Sequence, residues 1–245
     1  TYRHETAILK RDRHLFRHDS VMTGQAHGGP TAPSRVAPER ESAPYAGGMP
    51  SHRVIVLLAA GAGTRYEGIG HKLSAEIVEP GTGRAGTVIE RALDNAFASD
   101  VGPIVVVAGA VPDVVPESLA NAVTSLHNPR WAAGQITSVR AGIEAARALD
   151  ATAVVVGLAD QPFIEPSAWR AVADTPGPIV VATYDGRRAN PVKLDAAVWD
   201  LLPTTGDEGA RALMRVRPDL VREVACEGSP ADIDTTEDLR RWQSN

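Results

Sequence analysis

Four short apolar runs, mostly β-branched, punctuate the chain: RVIVLLA at 53–59, PIVVVAG at 103–109, ATAVVVGLA at 151–159 and PIVVAT at 178–183. They are apolar at successive rather than alternate positions, the pattern of strands covered on both faces in a parallel sheet. Between and after them, helical spacing predicts helices over 87–99, 135–149, 165–173 and 209–215. In the second of these, Ile136, Val139, Ile143, Ala146 and Leu149 recur at steps of three and four and share one face. Strand alternating with helix predicts an α/β fold with right-handed crossovers and a mostly parallel central sheet.

The pattern is missing from residues 1–49. The tract HGGPTAPSRVAPERESAPYAGG has no hydrophobic periodicity, and a segment of that kind buries too little surface to offset its ordering entropy. The expected organisation is a disordered N-terminal extension over 1–49 and a single folded domain over 50–245. The chain begins at Thr1, and Met22 and Met49 are alternative starts. The basic RHETAILKRDRHLFRH stays open between a nucleic-acid arm, a targeting peptide and upstream or vector-derived sequence; it has acidic residues within it and no apolar h-region.

Charge and cysteine content narrow the function classes. Residues 50–245 carry 18 Lys and Arg against 25 Asp and Glu, an acidic body that argues against a nucleic-acid surface. Cys226 is the sole cysteine, which excludes a disulfide framework, a thiolate zinc site and a CxxC redox pair. No apolar run approaches the roughly 20 residues that span a bilayer. The expectation is a soluble protein of a reducing cytoplasm, with neither nucleic acid nor membrane as partner.

In sheets of this type ligands bind beyond the carboxyl ends of the strands, and the unusual residues fall there. The first strand runs into a loop with Gly61, Gly63, Gly68 and Gly70. Read as G-x-G-x-x-G from Gly61, it fails at Tyr66. Read as G-x-x-x-x-G-K-[ST] from Gly63, it reaches Gly68 but continues with Ile69, and Lys72 is followed by Leu73. What remains is a glycine loop with Arg65 and Lys72, which is either an anion cradle of another design or a turn with two surface cations.

Asp160 ends the strongly apolar run VVVGLADQP, where a carboxylate calls for a partner. An Asx-turn, a helix cap or a Mg²⁺ site each supplies one. Asp234, in PADIDTTEDLRRW, is a second acid that also suits capping of a helix starting near Thr235. In HNPRWAAGQITSVRAGIEAA, a turn at Asn128-Pro129 precedes a helix starting near Gly134, with Gln135, Ser138 and Arg140 in its first two turns, and helix starts favour anions. Arg187, Arg188 and Arg211 are either solvated surface charges or contacts to an anionic acceptor.

Taken together, LAAGAGTR followed by KL, W-x-x-G-x-x-x-S-x-x-x-G from Trp131, ADQP, RRANPV, GDEGAR and DIDTTEDL resemble, in family order over about 53–242, the MobA-like nucleotidyltransferases. The likeness is strongest to molybdenum cofactor cytidylyltransferases and their guanylyltransferase relatives. It implies a three-layer α/β/α, Rossmann-like fold of glycosyltransferase A-like type. It also implies transfer of a nucleotide to an acceptor phosphate with release of pyrophosphate. The catalytic residues it implies are Arg65, Lys72 and Asp160. Asp160 and Asp234 would hold Mg²⁺, with Mn²⁺ as substitute and Asp232 as the weaker second ligand. Leu58, Ala59, Ala60, Gly61, Ala62 and Gly63, with Gly134, Gln135, Ser138 and Arg140, would meet the nucleotide, and Asn190 and Asp207 the acceptor side.

Ala60 stands where similar guanylyltransferases tend to have a second glycine, and its methyl would narrow the pocket against a purine. This favours CTP over GTP, with molybdenum-loaded molybdopterin as acceptor and a molybdoenzyme or its chaperone as partner. A GTP-using guanylyltransferase, a sugar- or alcohol-phosphate nucleotidyltransferase and a non-catalytic module assisting molybdoenzyme maturation are the alternatives. Three departures stand out: Ala189 for a glycine, Thr236 for a proline, and six residues, YEGIGH, between Arg65 and Lys72.

Overall fold

The computed structural model describes residues 52–78 and 83–243. The extension expected over 1–49 lies outside the described residues.

The four apolar runs form strands where the pattern put them: β1 (Arg53–Ala59), β4 (Ile104–Ala108), β6 (Ala153–Leu158) and β7 (Ile179–Tyr184). The numbering leaves room for a short antiparallel pair, β2 (Glu76–Val78) with β3 (Ala85–Thr87), and for edge strand β5 (Thr124–His127). β8 (Arg187–Asp195) and β9 (Val221–Ala225) follow. The main sheet has seven strands in the order β5-β4-β1-β6-β8-β7-β9. β5, β4, β1 and β6 pair in parallel, as do β7 and β9; β8 runs antiparallel to both of its neighbours, β6 and β7.

Helices cover both faces, giving three α/β/α layers. On one face Ile55 and Leu57 of β1 pack with Ile89 and Leu93 of α1 (Val88–Ala98) and Trp169 and Val172 of α3 (Pro166–Asp174). On the other, Val54 and Val56 meet Ile136, Val139 and Ile143 of α2 (Gln135–Ala148). Trp199 of α4 (Ala196–Trp199) and Leu213 of α5 (Arg211–Val216) extend that layer. Burying one such side chain contributes about 1.5–3 kcal/mol, so the apolar runs hold the helices to both faces of the sheet. α1 carries a capping box in which the Thr87 hydroxyl accepts from the Glu90 amide and the Glu90 carboxylate accepts from the Thr87 amide. No helix among the described residues is long and apolar enough to cross a membrane.

Strands β5, β8 and β9 are not among the predicted elements. RRANPVKL is the body of strand β8, buried from Pro191 to Leu194. It is reached from β7 through Asp185-Gly186, both at positive φ (49° and 73°), the two-residue hairpin turn that Asp-Gly favours. β5 and β9 lacked a signal because, at the sheet edges, most of their positions are exposed and no apolar run is needed.

Candidate active site

Register brings the first site residues together. Leu58 of β1 pairs with Leu158 of β6, so the glycine loop and Asp160 leave the sheet side by side. The returning C-terminal segment joins them: the Ile233 amide donates to the Asp160 carbonyl (2.8 Å), beside Asp232 and Asp234. Lys72 sits in a short 3-10 turn, Lys72–Ser74, and is 7% exposed. Its ammonium donates to Asp160 Oδ2 (2.5 Å) and Asp234 Oδ1 (2.7 Å), and Arg65 Nη2 pairs with Asp234 Oδ2 at 2.8 Å.

Burial disfavours the Lys72 ammonium, but Asp160 and then Asp234 outweigh it and hold its pKa above the ordinary value. Asp232 is pushed above the usual carboxylate range by burial and by the repulsion of Asp160 and Asp234, against the Gln161 hydrogen bond, which favours its charge. Asp160 Oδ1 is buried and has no hydrogen-bond partner among the described residues. A buried carboxylate oxygen left unpaired is costly, and a hard divalent cation supplies the missing partner. The residues therefore fit such an ion, which Asp160 and Asp234 would hold. No group of three or more His, Cys, Asp or Glu among the described residues is arranged to hold one alone. A site with one or two carboxylates is completed by substrate phosphates.

Asp234 does not cap the last helix, α6 (Thr236–Gln243). The cap is Thr235, whose hydroxyl accepts from the Asp238 amide (3.1 Å), while Asp238 Oδ2 accepts from the amides of Thr235 (2.9 Å) and Asp234 (3.2 Å). The Asp234 side chain is thereby left to the cleft. The YEGIGH insertion ends on His71, whose Nδ1 accepts from the Leu73 amide (3.3 Å) and whose Nε2 then donates to the Gly61 carbonyl (3.1 Å). The loop is stapled back on its own start, and Gly63, at φ 61°, leaves room for that ring: a Cβ there would lie 2.9 Å from His71 Nε2.

Arg65, Lys72, Asp160, Asp232 and Asp234 line a cleft of about 580 Å³. Its apolar lining includes Leu58, Val139, Val156, Val181 and Met214, and its polar lining also includes Asn190, Asp207, Arg188, Arg211 and Arg215. Gly134, at φ 111°, starts α2 beneath it; a Cβ there would meet the Gly206 carbonyl at 2.4 Å, so the Gly206-Asp207 loop lies directly on the helix start. The Gly206 carbonyl takes the Ile136 amide (3.1 Å), satisfying one of the free amides of that end.

Of the residues expected from sequence, Leu58, Arg65, Lys72, Gln135, Asp160, Asn190, Asp207 and Asp234 line the cleft. Gly61 lies in the exposed loop. Ala59 and Ala60 are buried, and the Ala60 methyl is turned toward Gly109, where an added Cβ would come within 2.7 Å of it. Ser138 is 2% exposed and its hydroxyl accepts from Asn128 Nδ2 (2.9 Å), while Arg140 donates to the Leu202 carbonyl (3.2 Å); both hold α2 in place instead of facing the cleft. Ala189 takes its place in β8 without positive φ, so the missing glycine is no obstacle. Sequence reasoning missed Arg215 and Glu208. They form an ion pair on the cleft wall, and Arg215 was findable, four residues after Arg211 on one helix face.

No curated protein sequence matches the chain. Among solved structures it is similar to Rv0371c from Mycobacterium tuberculosis H37Rv, at 24% identity over 80% of this chain and 98% of that one, TM-score 0.62. The complex of Rv0371c with manganese matches at 25% identity over 79% and 99%, TM-score 0.62. A nucleotidyl transferase from Methanothermobacter, Mth528, matches at 21% identity over 79% and 96%, TM-score 0.66, a likeness of fold. The family model of the MobA-like NTP transferase domain matches residues 55–224, well over half of the chain and all but the last acidic segment of the site. The chain belongs to the MobA-like NTP transferase family of nucleotidyltransferases.

Proposed function

We propose that the protein transfers CMP from CTP to the phosphate of molybdenum-loaded molybdopterin, releasing pyrophosphate. The observation that carries the reading is the Lys72 ammonium held between Asp160 and Asp234 in a cleft that is also lined by Arg188, Arg211 and Arg215. The first group suits a nucleotide with its metal and the arginines suit an anionic acceptor.

An oxygen of the acceptor phosphate bonds to the α-phosphorus, and the bond from that phosphorus to the bridging oxygen breaks, its electron pair leaving with pyrophosphate. The attacking group is already an anion, so the difficulty is like-charge approach and not proton removal; positioning and charge neutralisation supply the catalysis. Arg65 and the backbone amides around Gly61 to Gly63 meet the β- and γ-phosphates, with Leu58, Ala59 and Ala60 leading into that loop, and Lys72 offsets charge growing near the α-phosphate and on the leaving group. Gln135 lies beside the nucleotide, with Gly134 setting the helix start and Ser138 and Arg140 steadying it. Asn190 and Asp207 face the acceptor.

Asp160 and Asp234 would hold Mg²⁺, or Mn²⁺ in its place, and such an ion supplies Lewis-acid charge to phosphate oxygens when bound. Manganese in the Rv0371c complex supports a divalent ion. The choice of cytosine rests on Ala60, which stands where similar guanylyltransferases tend to have a second glycine.

Pyrophosphate release with each of the four NTPs and Mg²⁺, with and without molybdenum-loaded molybdopterin, tests the reading. Turnover is expected with CTP and only when the acceptor is present. Turnover with GTP alone, or with sugar phosphates, would overturn it.

A further inference from the structure

Gln161 lies behind the cleft wall, 6% exposed, and its amide is used at both ends. Nε2 donates to the Pro230 carbonyl (2.9 Å) and to Asp232 Oδ1 (2.7 Å), and Oε1 accepts from Asn190 Nδ2 (3.0 Å). An amide's oxygen and nitrogen are told apart by their partners, and here the partners leave no choice. The Pro230 carbonyl accepts only, whatever the charge on Asp232, so Nε2 must face it. Oε1 is then fixed toward Asn190, and Asn190 must offer its NH₂. The Asn190 carbonyl oxygen is what remains for the cleft, which Asn190 lines.

We infer that Gln161 is a positioning residue that fixes the polarity of Asn190, so that the acceptor side of the cleft presents a hydrogen-bond acceptor there and selects a ligand carrying an N–H or O–H donor at that point. The inference deepens the proposed acceptor site and rests on that reading for the ligand, although the amide orientation stands without it. A ligand with an acceptor in that position leaves two oxygens facing each other, and one with an apolar group leaves the Asn190 oxygen unpaired. The same amide ties strand β8 to the segment bearing Asp232 and Asp234, so both sides of the cleft share one reference point.

The test combines NMR with kinetics. In ¹⁵N-labelled wild-type protein the side-chain NH₂ protons of Gln161 should exchange slowly with solvent, and the Asn190 NH₂ pair should shift in Gln161→Met; rapid exchange or an unmoved Asn190 pair would overturn the orientation with no turnover needed. In steady-state assays with CTP and molybdenum-loaded molybdopterin, Gln161→Met should raise the acceptor KM about tenfold, the scale of one lost buried hydrogen bond, with the CTP KM within twofold. Gln161→Glu sets a carboxylate against both the Pro230 carbonyl and Asp232 and should be worse than Gln161→Met. Equal changes in both KM values would overturn the positioning role. If the wild type itself gives no turnover with this pair, the proposed function fails, while the NMR result still decides the amide orientation.

Discussion

Two sets of charges on the cleft are built by different means. In the set proposed for the nucleotide, Lys72, Asp160 and Asp234 stand at the ends of parallel strands and their neighbouring loops, with side chains 9%, 19% and 20% exposed. In the set proposed for the acceptor, Arg188 and Arg215 are about half exposed or more and are paired with Glu223 and Glu208. Charges shielded from water act on one another and on a ligand much more strongly than solvated ones. The first group is therefore suited to govern the rate of transfer, and the second to govern acceptor affinity.

Four substitutions sharpen or break that contrast. The largest effect is expected at Asp160, whose Oδ1 is the buried unpaired oxygen: Asp160→Asn should lower kcat about 10³-fold with the circular dichroism spectrum unchanged, as loss of a preorganised charge does. A near-normal rate would remove the carboxylate from the reaction. Next, Lys72→Met should lower kcat about 10²-fold. Because the ammonium occupies both carboxylates, the variant should also bind Mn²⁺ more tightly than wild type when no nucleotide is present, as read by electron paramagnetic resonance. An unchanged affinity would mean that Lys72 does not compete for the pair.

In the arginine set, Arg188→Ala should raise the acceptor KM about tenfold, in keeping with a hydrogen bond to a charged group, and leave kcat within twofold. A fall in kcat as large as that of Lys72→Met would erase the division between the two sets. The smallest effect should come from Asp238→Ala, which removes the carboxylate that accepts from the Thr235 and Asp234 amides while leaving the Thr235 cap, and is expected to cost about 1 kcal/mol in denaturant unfolding. The Thr235 hydrogen bond holds the Asp238 carboxyl below its ordinary value. Its contribution is thus fully present above the unfolded carboxylate's pKa and fades as pH falls through the lower folded value. The stability gap between wild type and variant should close on acidification.

Much of the group around Asp160 was legible in the chain. A strand apolar at every position has to be central, so β1 and β6 were visible, and Asp160 stood out as a charge ending such a run. The surroundings of Arg188 were less so, because β8 carries Arg187 and Arg188 before its buried half and edge strand β9 carries few apolar residues. The turn joining β7 to β8 is nonetheless written in Asp185-Gly186, a two-residue hairpin signal.

The sequence by itself determined the α/β alternation, the glycine loop, the two acids and their order along the chain, because periodicity and turn chemistry are local. Only the tertiary structure decided which charges meet. Lys72 and Asp234, 162 positions apart, share a hydrogen bond because the chain after β9 returns to the end of β6. The same return lets Thr235 and Asp238 cap α6 so that Asp234 can face the cleft, and it sets Pro230 and Asp232 against Gln161. Hydrogen-bond direction at a buried amide depends on all of its partners at once, and no local pattern in a sequence carries that information.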